Sequence, residues 1–286
     1  MHREAAGGSS SHRRTRRRPI KRDSSPSSVL AAEYSEKAGA YDRLWSPVIK
    51  PMALPLIPAL PLADARYVLD AGSGTGAFLP ELQAAAPGAR LVAIDRAHGM
   101  LKARSIPDVV AAAMDLESIA FSSSIFDVAA SIFVLFHLPD PLRGLREIRR
   151  ALRPGGSLGV ATWGVDPGLP GLMFWKEELD RAGAPPDPRD PIVMQQGRMD
   201  TPAKLRALVA EAGFTAIEIW SEVFEWQGTM DAVLAIQTTC GLPMRRLAGL
   251  SADAREACEA RVRRALEGLS QSDLIYRPEV LFCVAS

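Results

Sequence analysis

The feature that most constrains this chain is a short apolar run that ends in an acid and breaks at once into alternating glycines. Tyr67-Val68-Leu69-Asp70 leads into Ala71-Gly72-Ser73-Gly74-Thr75-Gly76. A helix-like stretch follows from Ala77 to Ala86 and stops at Pro87-Gly88. A strand, a glycine turn and a helix in this order make a cradle for a small ligand. Glycines allow positive φ and let a ligand approach the backbone closely. The start of the helix offers unpaired N–H groups to an anionic group. The turn alone does not choose the ligand, because dinucleotide enzymes use a similar one.

The rest of the chain repeats the same rhythm. Leu91 to Asp95 is a second apolar run ending in an acid, Val109 to Ala113 a weaker one, and Phe126 to Phe136 a strong one. Leu142, Leu145, Ile148 and Leu152 then form a helical stripe. Arg149, Arg150 and Arg153 sit at its C-terminal end, where cations suit the helix dipole, and Pro154-Gly155-Gly156 ends it. Ser157 to Trp163 reads as a further strand. Thr201 can cap a helix with Pro202 at its first position and Gly213 at its close, burying Leu205, Leu208, Val209 and Ala212. Thr215 to Trp226 and Tyr276 to Ala285 read as the last two strands. Strands alternating with helices predict an α/β fold, a doubly wound, mostly parallel seven-stranded sheet with the last strand antiparallel.

Three segments stand outside that rhythm. Residues 1–28 carry eight Lys/Arg against two acids and almost no apolar content. They read as a disordered basic tail or an over-extended start, with a transit peptide or an anionic-surface tether as alternatives. Residues 29–62 read as a helical leading segment, in which Tyr34, Tyr41, Leu44 and Trp45 lie near helical spacing. Residues 164–199 and 227–273 read as insertions after strands five and six; the second places Ala254, Cys258, Val262 and Leu266 at four-residue steps. The insertions carry Met173, Phe174, Trp175, Met194, Met230, Leu234 and Met244. These are expected to form a lid over an apolar acceptor pocket, the alternative being packing on the sheet or a homodimer contact.

Acids complete the pattern. Asp95 ends the second strand about 20 residues past the glycines, where a ribose diol lies in such folds. Asp115 follows the third strand. Val68 to Gly76 resembles the signature motif of class I S-adenosylmethionine-dependent methyltransferases. Supporting matches are Val92-Ala93-Ile94-Asp95, Met114-Asp115-Leu116, Phe126-Asp127-Val128, Leu152 to Gly156 and the L-x-x-x-A-G-F pattern of Leu208 to Phe214. The flavour is that of the ubiquinone/menaquinone-biosynthesis-like, small-molecule group.

The resemblance implies a Rossmann-like fold, S-adenosylmethionine as cofactor, and methyl transfer to a small, mostly hydrophobic metabolite. It implies that Gly72, Gly74 and Gly76 line the methionine end, and that Asp70 supports the loop and helps hold the ammonium. Asp95 would take both ribose hydroxyls. Asp115 would take the adenine amino group, with the Leu116 amide near the ring and Arg96 and Met100 packing beside it. Ser131 and Phe133 would lie near the sulfonium. Tyr34 and Tyr41 would close over the cofactor, or serve only as packing residues. A sulfonium favours carbonyls and aromatic faces around it. His137, after the fourth strand, is the general-base candidate, its alternative being a histidine with no chemical part.

Composition removes other classes. The formal net charge is +1, so with +6 on residues 1–28 the remainder is −5, which makes nucleic acid an improbable partner for the folded part. Cys240, Cys258 and Cys283 are too few and scattered for a disulfide framework or a zinc site, and a reducing cytoplasm fits. No apolar run is long enough to span a bilayer, and no secretory signal is visible. Base methylation would require an Asp/Asn-Pro-Pro-aromatic motif where Ser131-Ile132-Phe133-Val134 stands. Only Asp140 lies where a metal-dependent enzyme would cluster carboxylates, so no metal is expected. Two rivals remain, a non-catalytic S-adenosylmethionine-binding protein and an NAD-type oxidoreductase. The glycine spacing and the lack of a Tyr-x-x-x-Lys pair disfavour the second.

Overall fold

A computed structural model describes residues 24–103 and 109–286. Residues 1–23 of the expected tail lie outside them. The last tail residues are inside, and they are helical. Ser25 caps the first helix by accepting from the Ser28 N–H, and Ser27 is buried. The boundary drawn at position 28 therefore falls within that helix.

The elements run α1 (Pro26–Leu44), α2 (Ser46–Ala53), α3 (Leu56–Ala59), β1 (Tyr67–Ala71), α4 (Leu79–Ala85), β2 (Arg90–Asp95), α5 (His98–Lys102), β3 (Val110–Ala113) and β4 (Phe126–Ile132). They continue through α6 (Pro141–Ala151), β5 (Leu152–Trp163), α7 (Leu172–Arg181), α8 (Pro202–Glu211), β6 (Ile217–Val223) and β7 (Trp226–Gln227). The last are α9 (Met230–Cys240), α10 (Leu242–Leu247), α11 (Ala252–Glu267), β8 (Ile275–Tyr276) and β9 (Glu279–Ala285). Seven strands form one sheet in the order β3-β2-β1-β4-β5-β9-β6. The first five pair in parallel, and β9 runs antiparallel to both β5 and β6. This is the fold read from the sequence. Strand order reverses between β1 and β4, and in open α/β sheets such a switch point opens a crevice at the carboxyl ends of the strands.

Central strands are buried on both faces, so they read as apolar runs without alternation. All seven residues of β4 are buried. One cluster lies between the sheet and α2, α3 and α4, and a second between the sheet, α6 and α8. Asp127 is the buried acid in β4. It accepts from the backbone N–H of Arg66 and Tyr67, both at 2.7 Å, and pairs with Arg153. It thereby ties the start of β4 to the start of β1.

Two strands are shorter than the apolar pattern predicts. The run from Phe126 to Phe136 leaves the sheet after Ile132, because Phe133 takes φ 57° and Leu135–His137 form a 3-10 turn. Phe133 stacks on Trp163 with ring centroids 4.2 Å apart, which bends the chain over the end of β1. The run from Thr215 to Trp226 is likewise cut. Trp226–Gln227 pair with Ile275–Tyr276 in a separate ladder, and Pro278, which has no N–H to give, precedes β9.

Candidate active site

The crevice at the end of β1 encloses about 990 Å³ of empty space, counting the part open to solvent. Its floor is the glycine turn. Gly72 and Ser73 donate their N–H groups to Ile94 O, at 2.8 and 2.9 Å, binding the turn to β2. Gly72, Gly74 and Gly76 all have positive φ. A Cβ on Gly72 would stand 2.4 Å from a Val134 methyl, so only glycine lets the turn after β4 close over it.

Two acids shape the floor. Asp95 accepts from Gly74 N–H at 2.9 Å through one oxygen and from Ala97 N–H at 2.7 Å through the other. Each oxygen keeps a lone pair for a hydroxyl. Burial raises its pKa, and the two backbone bonds oppose that shift. Asp70 is 2% exposed, and its Oδ2 has no hydrogen-bond partner. Burial pushes its pKa up to about 7, with the nearby Ser73 hydroxyl opposing the shift and the Asp95 charge adding to it. The buried hydroxyl of Thr75 is also without a partner, and that of Ser73 lies close enough to Asp70 to act on its carboxyl. Unpaired buried polar atoms are costly, and a group this dense in them calls for a ligand. On one side Asp115 pairs with Arg96 at 3.2 Å, beside buried Met100 and Leu116.

At the opposite end α1 meets the turn after β4. The Tyr34 hydroxyl lies 3.0 Å from His137 Nε2, and Tyr34 packs edge-on against Tyr41 at 5.8 Å. Burial is the main cause that lowers His137 to about 3 and raises Tyr34 to about 12. Both are therefore neutral across the physiological range.

Tyr34, Tyr41, Asp70, Gly72, Gly74, Asp95, Arg96, Met100, Asp115, Leu116, Phe133 and His137 all line this one cleft. Gly76 does not; it shapes the turn from behind, donating to Ser73 O at 2.8 Å. Ser131 does not either. It is fully buried and shares the α6 side of the sheet with Ala129 and Val160, whereas its neighbour Ile132 faces the cleft. The seven lid residues named from the sequence are also absent from the wall. Trp175 and Leu234 belong to a separate core of α7, α9, α10 and α11, packed there with Phe174 and Met230. Met173 and Met194 are 66% and 46% exposed. Lid helices bury their apolar faces against each other, so their methionines and aromatics do not reach the cleft. Sequence reasoning missed Ser27 and Leu30 of α1 and Ile49 of α2, which do line it. Among the described residues no group of three or more His, Cys, Asp and Glu could hold a metal ion.

Comparison with known proteins adds a family to this fold. Residues 40–219 match the family described as Methyltransferase domain. The chain is 40% identical over 124 residues to a demethylmenaquinone methyltransferase of Corynebacterium urealyticum, covering 43% of this chain and 53% of that protein. It is 31% identical over 186 residues to the demethylmenaquinone methyltransferase of Mycolicibacterium vanbaalenii, covering 62% of this chain and 78% of that protein. With the first, as with related mycobacterial proteins, the match spans about half of the relative's length. The crystal structure of the YcgJ protein of Bacillus subtilis shares the fold, with a TM-score of 0.52 at 16% identity over 82% of this chain and 97% of that one. The glycine turn, the acids that close it and the match across residues 40–219 lead to one conclusion: the chain belongs to the methyltransferase domain family.

Proposed function

We propose that this protein transfers a methyl group from S-adenosylmethionine to a small, mostly hydrophobic acceptor. The observation that carries the reading is the buried Oδ2 of Asp70, with no geometric hydrogen-bond partner, beside the Asp95 clamp in a cleft lined by both apolar and polar side chains. A cationic, diol-bearing ligand answers both acids. Asp95 would hold the ribose, Asp70 the ammonium, and Asp115, Leu116, Arg96 and Met100 the base. When bound, the cofactor supplies a methyl carbon already activated by its sulfonium.

The chain then has to align the acceptor and exclude water. Phe133, Tyr34 and Tyr41 wall the reacting end. Tyr34 and His137 act as one unit there. The neutral pair can hold an acceptor oxygen or pass its proton along the bond between them. With its pKa near 3, His137 is a weak base in isolation, so orienting the acceptor is its first role. The named activity of the relatives makes a naphthoquinol the first acceptor to try. No helix among the described residues is long and apolar enough to cross a membrane. A cytoplasmic enzyme, as a monomer or homodimer and without nucleic acid as acceptor, is the setting this reading takes.

Isothermal titration with S-adenosylmethionine, S-adenosylhomocysteine and NAD tests the cofactor. Labelled-methyl transfer to a panel of naphthoquinols and other hydroxyaromatics tests the reaction. Binding of the first two without NAD, plus label transfer, supports the proposal. Tight cofactor binding with no transfer to any acceptor favours the non-catalytic binder, and NAD binding overturns the reading.

A further inference from the structure

We infer that Ser46, the first residue of α2, donates its hydroxyl to the carboxylate at the amino-acid end of the cofactor. The chain thus recognises that carboxylate through a neutral donor rather than a cation. This rests on the S-adenosylmethionine reading above and assigns one more binding residue in the same cleft.

Ser46 reaches the cleft from outside the sheet. It lines the wall, as do Ile49 of its own helix and Ala77 and Phe78, which lead from the glycine turn into α4. Residues four apart share a helix face, so Ser46 and Lys50 lie on one side of α2. Lys50 pairs with Glu81, in the first turn of α4, at 2.8 Å. That bridge fixes α2 against the helix that follows the glycine turn, and Ser46 stands one helical turn from it. Ser46 is 5% exposed, and its Oγ has no hydrogen-bond partner. The buried hydroxyls of Ser73 and Thr75 belong to the glycine turn itself, and Ser73 acts on Asp70. Ser46 comes from another element, and among the described residues nothing takes its proton.

The charges that line the cleft call for such a donor. Asp70 and Asp95 answer the cofactor's ammonium and ribose, and neither can hold its carboxylate. Among the described residues, Arg96 is the one Lys or Arg in the wall, and it pairs with Asp115 at 3.2 Å. Tyr34 and His137 are bonded to each other at 3.0 Å. The carboxylate therefore has to be met by neutral donors. A buried hydroxyl without a partner is costly, and alanine in its place would remove that cost. An incoming carboxylate oxygen supplies the missing acceptor, in a bond stronger than one between neutral groups. A hydroxyl also keeps positive charge away from the sulfonium, which a lysine or arginine at this place would repel.

The test is isothermal titration of the whole protein with two ligands, S-adenosylhomocysteine and its decarboxylated analogue, which keeps the amine and lacks the carboxylate. Ser46→Ala should weaken S-adenosylhomocysteine by about tenfold to a hundredfold, the effect of one lost hydrogen bond to a charged group. The same variant should hold the decarboxylated analogue within about twofold of wild type. That selective loss supports the inference, because a change in the packing of α2 would weaken both ligands alike. If Ser46→Ala binds S-adenosylhomocysteine within about twofold of wild type, or loses both ligands equally, the inference is overturned. Should Ser46→Ala fail to fold, Ser46→Cys, similar in size and only a weak donor, decides by the same comparison. A wild type that binds neither ligand overturns the S-adenosylmethionine reading, and the inference falls with it. Tight S-adenosylhomocysteine binding that ignores Ser46 overturns the inference alone and leaves that reading standing.

Discussion

At the residue scale, burial raises the pKa of both floor acids, and they differ in backbone support. Asp95 is held by Gly74 and Ala97 backbone N–H groups, so its loss strips both the loop and the ligand. Asp95→Ala should weaken S-adenosylmethionine by about tenfold to a few hundredfold and cost about 1–3 kcal/mol of stability, read by titration and denaturant melts. Asp70 behaves differently. Its native pKa, about 7, lies above its ordinary value of 3.8, so the folded state holds the proton more tightly. Its stability contribution is full below the ordinary value, declines as pH rises toward 7, and is level beyond. Asp70→Asn should therefore stabilise the ligand-free protein by about 1–3 kcal/mol at about pH 8 and by almost nothing at about pH 4. Cofactor affinity should fall in the same variant at the higher pH. Both acids were legible in the sequence because strand ends and glycine turns are local features. Ser131 was misplaced for a tertiary reason. Adjacent strand residues face opposite sides, and only the partner layers say which side is the cleft.

At the scale of elements, the turn after β4 decides the shape of the site. It lies on Gly72 so closely that a Cβ would meet Val134, and Gly72 also holds φ 89°. Gly72→Ala should cost roughly 2 kcal/mol or more. Adding Val134→Ala should return part of that loss, leaving the share due to backbone strain; a double-mutant cycle on melting data measures the split. The helix that follows starts at a cap read only after folding. Asp140 accepts from Leu142 and Arg143 N–H and also meets Arg198 of the strap. Asp140→Ala should cost about 0.5–2 kcal/mol in the same assay. The extra length assigned to the fourth strand came from its apolar composition. Composition cannot register a stacking contact with Trp163, a residue 30 positions further on.

At the scale of the whole molecule, the insertions are a second core rather than a curtain over the first. Trp175 is fully buried in it and donates to Gln237 at 2.7 Å. Trp175→Ala should destabilise by about 3–5 kcal/mol and leave cofactor affinity within about twofold, checked by thermal melts beside titration. A large cofactor effect would mean that the lid core and the cleft are coupled. The two bodies are joined by α9, which packs on α1 and places Ile236 in the core beside the sheet, and by polar contacts of Arg245 with Glu33 and of Gln195 with Phe136 O.

The sequence by itself determined the sheet, the glycine turn, the acids that line the cleft and the family. Those features depend on residues near one another in the chain, whose spacing and φ requirements appear as pattern. Tertiary structure alone decided that the insertion helices bury their apolar faces against one another, and that Ser27 and Leu30 reach the cleft. Residues more than 50 positions apart meet there because helices pack by shape and charge, and no local period records which face another element will cover.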